Sequence, residues 1–176
     1  GMGGVGKTTL AKSVYNDQRI KQHFQLRMWV CVSENFDETK LTKETLESAT
    51  REFYATTTNM NLIQEDLFEQ LQGKRFLLVL DDVWNEDPIK WYRYRNAIIG
   101  GERGSKILVT TRNENVGRIM GGWPSYRLKQ LSDDDCWELF RNYAFVGGNS
   151  STHPNLEKIG KMIVKNLKGL PLALKI

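Results

Sequence analysis

Residues 1–10 read GMGGVGKTTL, and the spacing inside this stretch decides the fold. Gly1, Gly6, Lys7 and Thr8 complete the pattern G-x-x-x-x-G-K-[ST], a loop that wraps phosphate groups in backbone N–H donors. Gly3 and Gly4 strengthen the reading, because side chains there would block the approach of the backbone to phosphate oxygens. Gly1, Gly3, Gly4, Val5 and Gly6 are therefore the candidate cradle. Lys7 would reach the β- and γ-phosphates, and the Thr8 hydroxyl would coordinate Mg²⁺. A helix running on from Thr8 aims its positive end at the same anion. The bland alternative, a flexible glycine linker, explains neither the lysine nor the threonine.

A phosphate loop calls for an acidic partner at the end of a buried strand. Residues 77–82, LLVLDD, supply one: four apolar residues running into two carboxylates. A buried Asp81 without a cation or donors would cost several kcal/mol, on the order of 2–7 for an unpaired polar group. Asp81 is assigned to Mg²⁺ through water, and Asp82 to orienting an attacking water. A further strand, residues 106–110 (KILVT), leads to Arg112. The carboxyl end of a strand is where open α/β sheets bind ligands, so Arg112 is placed to sense γ-phosphate charge. Taken without its neighbours, a solvent-facing arginine is the simpler reading.

Outward from these motifs, short apolar runs alternate with segments of helical period, the pattern of a parallel sheet covered by helices on both faces. Strands are expected over residues 26–32 (LRMWVCV), 75–80 and 106–110, with a fourth at 125–128. Helices are expected over 8–15, 41–48, 61–71 and 91–99, the last presenting Trp91, Tyr94 and Ile98 on one face. Residues 49–59, with the threonine run at 56–58, read as a loop. After Leu131 the character changes. Ser132 followed by three aspartates is an N-cap with an acidic first turn, opening CWELFRNYAF. A Gly/Asn/Ser/Pro-rich stretch, 147–154, precedes another helix over 156–167, with Ile159, Ile163 and Leu167 on one face. The expected division is a P-loop domain, 1–131, and a helical subdomain, 132–176.

The 176 residues carry 40% hydrophobic content and a net charge of +4. The basic residues are scattered without a block of five or six, which gives no footing for nucleic acid. No run approaches eighteen apolar residues, so no membrane span is expected, and a cytoplasmic location follows. Cys31 and Cys136 lack metal-ligand spacing and are expected as reduced, core-packed thiols. Trp29, Trp84, Trp91 and Trp137 are read as packing residues, not base-stacking platforms.

In order along the chain, GMGGVGKTTLAKSVYND, FQLRMWVCVSENFD, FLLVLDDVWNED, GSKILVTTRN, LKQLSDDDCWELF and GLPLALKI resemble the motifs of the NB-ARC domains of plant disease-resistance receptors. Trp84 after LDDV, with MWVCVS, resembles the subclass that carries a coiled coil. The resemblance implies a P-loop NTPase fold and an ADP/ATP switch with weak ATPase activity. It adds Thr9 and Pro171 to the nucleotide contacts, Pro171 packing near the adenine. In the full-length receptor it implies leucine-rich-repeat and coiled-coil partners and a homo-oligomer on activation. It also implies that the strand feeding the loop precedes Gly1 and lies centrally, beside the strand ending in Arg112. Without that strand, its neighbours are expected to be left unpaired and the isolated chain to fold poorly. A P-loop phosphotransferase acting on a small molecule is the competing expectation.

Overall fold

The computed structural model describes residues 1–32, 34–54, 59–120, 125–145, 149 and 153–174. They form two compact units, Thr8–Ser125 and Gly1–Lys7 with Tyr126–Ile176.

In the first unit, α1 (Lys7–Asn16), which starts one residue earlier, and α2 (Gln18–His23) lead into β1 (Leu26–Cys31). Then come α3 (Glu38–Thr50), α4 (Met60–Leu71), β2 (Phe76–Val83), α5 (Pro88–Ala97), β3 (Lys106–Thr111) and α6 (Glu114–Ile119). The three strands form one parallel sheet in the order β1-β2-β3. β2 is the middle strand, and its side chains alternate between two cores. Phe76, Leu78 and Leu80 join Met28, Val30, Leu46, Ile63, Leu67 and Tyr94 on one face. Leu77 and Val79 join Ala11 and Phe24 on the other. A strand covered on both sides needs apolar residues at every position, which is why FLLVL is continuous rather than alternating.

Caps fix the helix starts. Asp17, Asp37, Asn59, Asp87 and Asn113 each accept a hydrogen bond from a backbone N–H of the helix they precede. The Arg19 guanidinium beside Asp17 holds that carboxyl at about 2. In α5 the expected face forms as read, with Trp91, Tyr94 and Ile98 buried. Tyr94 shares a 2.7 Å hydrogen bond with the Thr45 hydroxyl, and burial pushes its phenol up, so it stays neutral.

Several expectations need correction. The strand leading to Arg112, expected to be left with unpaired backbone groups, has a partner: Leu77–Leu80 of β2 stand in register with Lys106–Val109 of β3. That ladder supplies partners to backbone groups expected to be bare. Residues 125–128 form no strand; Ser125, Tyr126 and Arg127 are exposed, so four residues offer no apolar face to hold against a sheet. Helix α3 runs on through residues 49 and 50 of the expected loop, while the threonine run at 56–58 lies outside the described residues. Cys31 is exposed at the end of outer strand β1, whereas Cys136 is buried; both are free.

In the second unit, α7 (Asp133–Ala144) and α8 (Pro154–Asn166) pack around Cys136 and Val164, and a 3₁₀ turn, Pro171–Leu174, follows. Ser132 and Asp135 form a reciprocal capping box on α7, as the sequence indicated. Ser132→Ala should lower stability by about 1 kcal/mol in denaturant melts. Of the α8 face read from the sequence, Leu167 packs against the Cys136–Val164 core, and Ile159 and Ile163 do not. Gly160 and Val164 are buried, while Ile159 and Ile163 are 48% and 43% exposed. A Cβ on Gly160 would lie 2.7 Å from the Phe140 ring and 2.9 Å from that of Trp137, so the missing side chain lets α7 settle on that side. Hydrophobicity ranks a glycine last, and the packing puts it first. Among the described residues no helix is long and apolar enough to cross a membrane.

Candidate functional site

The phosphate loop owes its shape to backbone that only glycine adopts freely. Gly4 and Gly6 take φ of 75° and 101°, between which Val5 is buried. Gly4 accepts a 3.2 Å hydrogen bond from the Leu172 N–H, tying the loop to the 3₁₀ turn that begins at Pro171 within the same unit. A Cβ on Gly4 would come 2.9 Å from that of Leu172. Lys7, first residue of α1, folds back over the loop: its Nζ donates to the carbonyls of Gly1 at 3.1 Å and Met2 at 2.8 Å. Thr9 is exposed on the first turn of the helix.

Across the sheet unit, the two expected magnesium residues meet. Thr8 Oγ1 donates to Asp81 Oδ1 at 2.9 Å. Asp81 is only 6% exposed at the carboxyl end of β2, and the same Oδ1 accepts from Thr110 Oγ1 at 2.5 Å. The sheet breaks here on purpose of geometry: the β2–β3 register shifts between Leu80 and Val83, and Asp82 takes the left-handed conformation with φ 55°. Its N–H leaves the ladder and donates to Thr110 Oγ1 at 2.9 Å. One hydroxyl thus gives to the first aspartate and accepts from the second.

Thr110 is a residue that sequence reading missed, although TT before Arg112 was visible. Thr110→Val keeps the shape and removes both bonds at a buried position, so it should destabilise the fold by about 1–3 kcal/mol, measured by urea unfolding.

The bulge turns the two carboxylates to different tasks. Asp81 points into the structure, and Asp82 is 45% exposed, its Oδ1 3.6 Å from Arg112 Nε. Trp84 was read as packing, yet it is 37% exposed and carries the Arg112 guanidinium over its ring, 4.8 Å from the centroid. Trp91 is buried and its indole N–H donates to the Asn85 carbonyl.

Among the described residues no three His, Cys, Asp or Glu side chains gather into a metal cage. The residues present fit Mg²⁺ nonetheless, because that ion is held by one or two protein oxygens together with a ligand's phosphates and water. Thr8 and the buried Asp81 offer such oxygens. A separate open cleft of about 390 Å³ is lined by Trp29, Val30, Cys31, Glu44, Glu47 and Ser48. Burial raises the Glu44 carboxyl, and with Glu47 beside it this cleft opposes a polyphosphate.

The sequence profile of the NB-ARC domain matches residues 1–150. The chain belongs to the NB-ARC family. It is 50% identical over 175 residues to disease resistance protein RGA2 of Solanum bulbocastanum, covering 99% of this chain and 18% of that protein. Putative disease resistance protein RGA1 of the same species is 48% identical over 177 residues, again 99% and 18%. Putative disease resistance RPP13-like protein 1 of Arabidopsis thaliana is 42% identical over 180 residues, covering 99% of this chain and 17% of that protein. The NB-ARC chain thus spans under a fifth of the length of these relatives. NB-ARC is a nucleotide-binding domain, and the three-stranded parallel sheet flanked by helices fits a P-loop NTPase.

Proposed function

We propose that this NB-ARC chain is the adenine-nucleotide switch of a plant intracellular immune receptor, resting with ADP and signalling with ATP. The observation that carries the reading is the Thr8–Asp81 hydrogen bond, which joins the first turn after the loop to the carboxyl end of the central strand. The bond sets a hydroxyl and a buried carboxylate side by side where the helix after the loop meets the end of the strand, a pair of oxygens suited to a shared metal shell.

Bound Mg·ATP would supply a divalent centre and a γ-phosphate charge. The chain's own residues do the rest. The backbone N–H groups of Gly1, Gly3, Gly4, Val5 and Gly6 bind phosphate oxygens, helped by Thr9 at the helix start. Lys7 exchanges the Gly1 and Met2 carbonyls for phosphate. Thr8 and Asp81 hold the metal shell, Asp82 orients a water, and Arg112 presents a positive charge where the γ-phosphate would lie. Pro171 packs near the adenine. Slow hydrolysis resets the switch, and nucleotide identity shifts the population of closed and open states.

The division into a P-loop domain, 1–131, and a helical subdomain, 132–176, belongs to the same proposal. So do a cytoplasmic location, intramolecular coiled-coil and leucine-rich-repeat partners, and a homo-oligomer on activation, with no direct contact to nucleic acid.

Calorimetry on the full chain, checked for folding by circular dichroism, tests the reading. One saturable site each for ADP and Mg·ATP is expected. A folded chain indifferent to both nucleotides would overturn it. ADP release stimulated by a small-molecule acceptor would point instead to a phosphotransferase.

A further inference from the structure

We infer that Trp84 is a positioning residue for Arg112, holding the guanidinium over its ring by a cation–π contact that leaves the positive charge in place for an anion. This rests on the reading of Arg112 as the residue that meets the γ-phosphate.

Arg112 meets two neighbours of different kinds. Its guanidinium carbon lies over the indole of Trp84, 4.8 Å from the ring centroid. Asp82 Oδ1 lies 3.6 Å from Nε. An aromatic ring attracts the cation through its quadrupole and carries no charge of its own. Nor does a neutral ring cancel the charge, as a close carboxylate would. Asp82 is a poor clamp by comparison: the contact is longer than a good charged hydrogen bond, and both side chains are nearly half exposed, where ion pairs contribute little.

The local chain explains why Trp84 is the residue in place. Val83 is buried at 1% exposure, anchoring the end of β2, so its two neighbours are turned outward together. Asp82 in its left-handed conformation and Trp84 therefore address the same guanidinium. An arriving phosphate competes with the Asp82 carboxylate and not with the neutral ring. Trp84 thus limits the rotamers Arg112 must give up on binding, and it does so only for a ligand that reaches Arg112.

The test compares Mg·ATPγS with ADP on the full chain by calorimetry. Trp84→Leu, which keeps an apolar side chain and removes the ring face, should weaken Mg·ATPγS by about two- to fivefold, the range of an exposed cation–π contact. ADP affinity should be unchanged, and Trp84→Phe should restore most of the loss. In an Arg112→Ala background, Trp84→Leu should add nothing. A readout free of nucleotide is the Arg112 Nε–Hε resonance, which should move downfield in Trp84→Leu as the ring current is lost, and stay near its place in Trp84→Phe.

Equal weakening of both nucleotides by Trp84→Leu would show a merely structural tryptophan and overturn the inference. So would full Mg·ATPγS affinity in Trp84→Leu while Arg112→Ala loses it, an outcome that leaves Arg112's own role standing. Unchanged discrimination in Arg112→Ala would instead remove the sensor reading and this inference with it.

Discussion

Lys7→Arg should reduce the affinity of the chain for both ADP and Mg·ATP by about 100-fold, with an unchanged melting curve. The Lys7 ammonium already bridges two carbonyls of its own loop, at 3.1 and 2.8 Å, which shows that a single compact cation fits the span. Under the proposed function phosphate oxygens would replace those carbonyls as acceptors, each charge-assisted hydrogen bond contributing about 1.5–3 kcal/mol. Arginine keeps the charge and loses the fit, because a planar fork cannot occupy the place of a tetrahedral point donor. The Nζ bonds to Gly1 and Met2 stay within the loop, and arginine keeps a positive donor there, so stability should hold. Calorimetry checks the affinity. Binding within threefold of the unaltered chain would remove Lys7 from the site.

Substitutions at Asp82 carry the second large effect, and the structure says which of them are clean. With φ at 55°, this position disfavours β-branched side chains strongly and accepts asparagine or glycine. Asp82→Val should therefore both slow hydrolysis and destabilise the chain by about 1–3 kcal/mol. At about 2–4 °C per kcal/mol for a chain of this size, the melting temperature should fall by several degrees. Asp82→Asn should slow hydrolysis by about 100-fold, the lower end of what a positioned proton-handling group contributes, and leave the melting temperature in place. In a full-length receptor the slowed variants should be autoactive. Single-turnover hydrolysis and a thermal melt, run on both variants, check the pair. An Asn variant that hydrolyses at the original rate would reassign Asp82 to structure.

How much of this was open to reading from sequence depends on where the cause lies. The middle strand announces itself because burial on two faces demands an uninterrupted apolar run, and the outer strands show through their short β-branched and apolar stretches. The loop, Asp81 and the Ser132 cap were legible because each depends on residues close together or on a fixed spacing. What escaped depends on contacts between distant residues. Nothing in LDD distinguishes an aspartate in register from one pushed out by a bulge; the shift arises from Thr110 on the neighbouring strand. Gly160 looks like a weak point in α8 until the rings of Trp137 and Phe140 are set above it. Helices α2 and α6, six residues each, are too short for a period to show, although Asp17 and Asn113 were available as starting signals. The direct pairing of β2 with β3 is likewise invisible, since KILVT would read the same beside any neighbour.

The hydroxyl of Thr110 gives the second aspartate an amide partner that can rotate. A carbonyl in a ladder is fixed by the strand it belongs to, whereas a threonine oxygen sits in one of a few staggered positions about a single bond. Deuterium uptake at the Asp82 amide is thus a local gauge: slow while Thr110 faces both acids, fast once it swings away. A single proton, read by mass or resonance, would tell whether the acidic pair is cocked or slack.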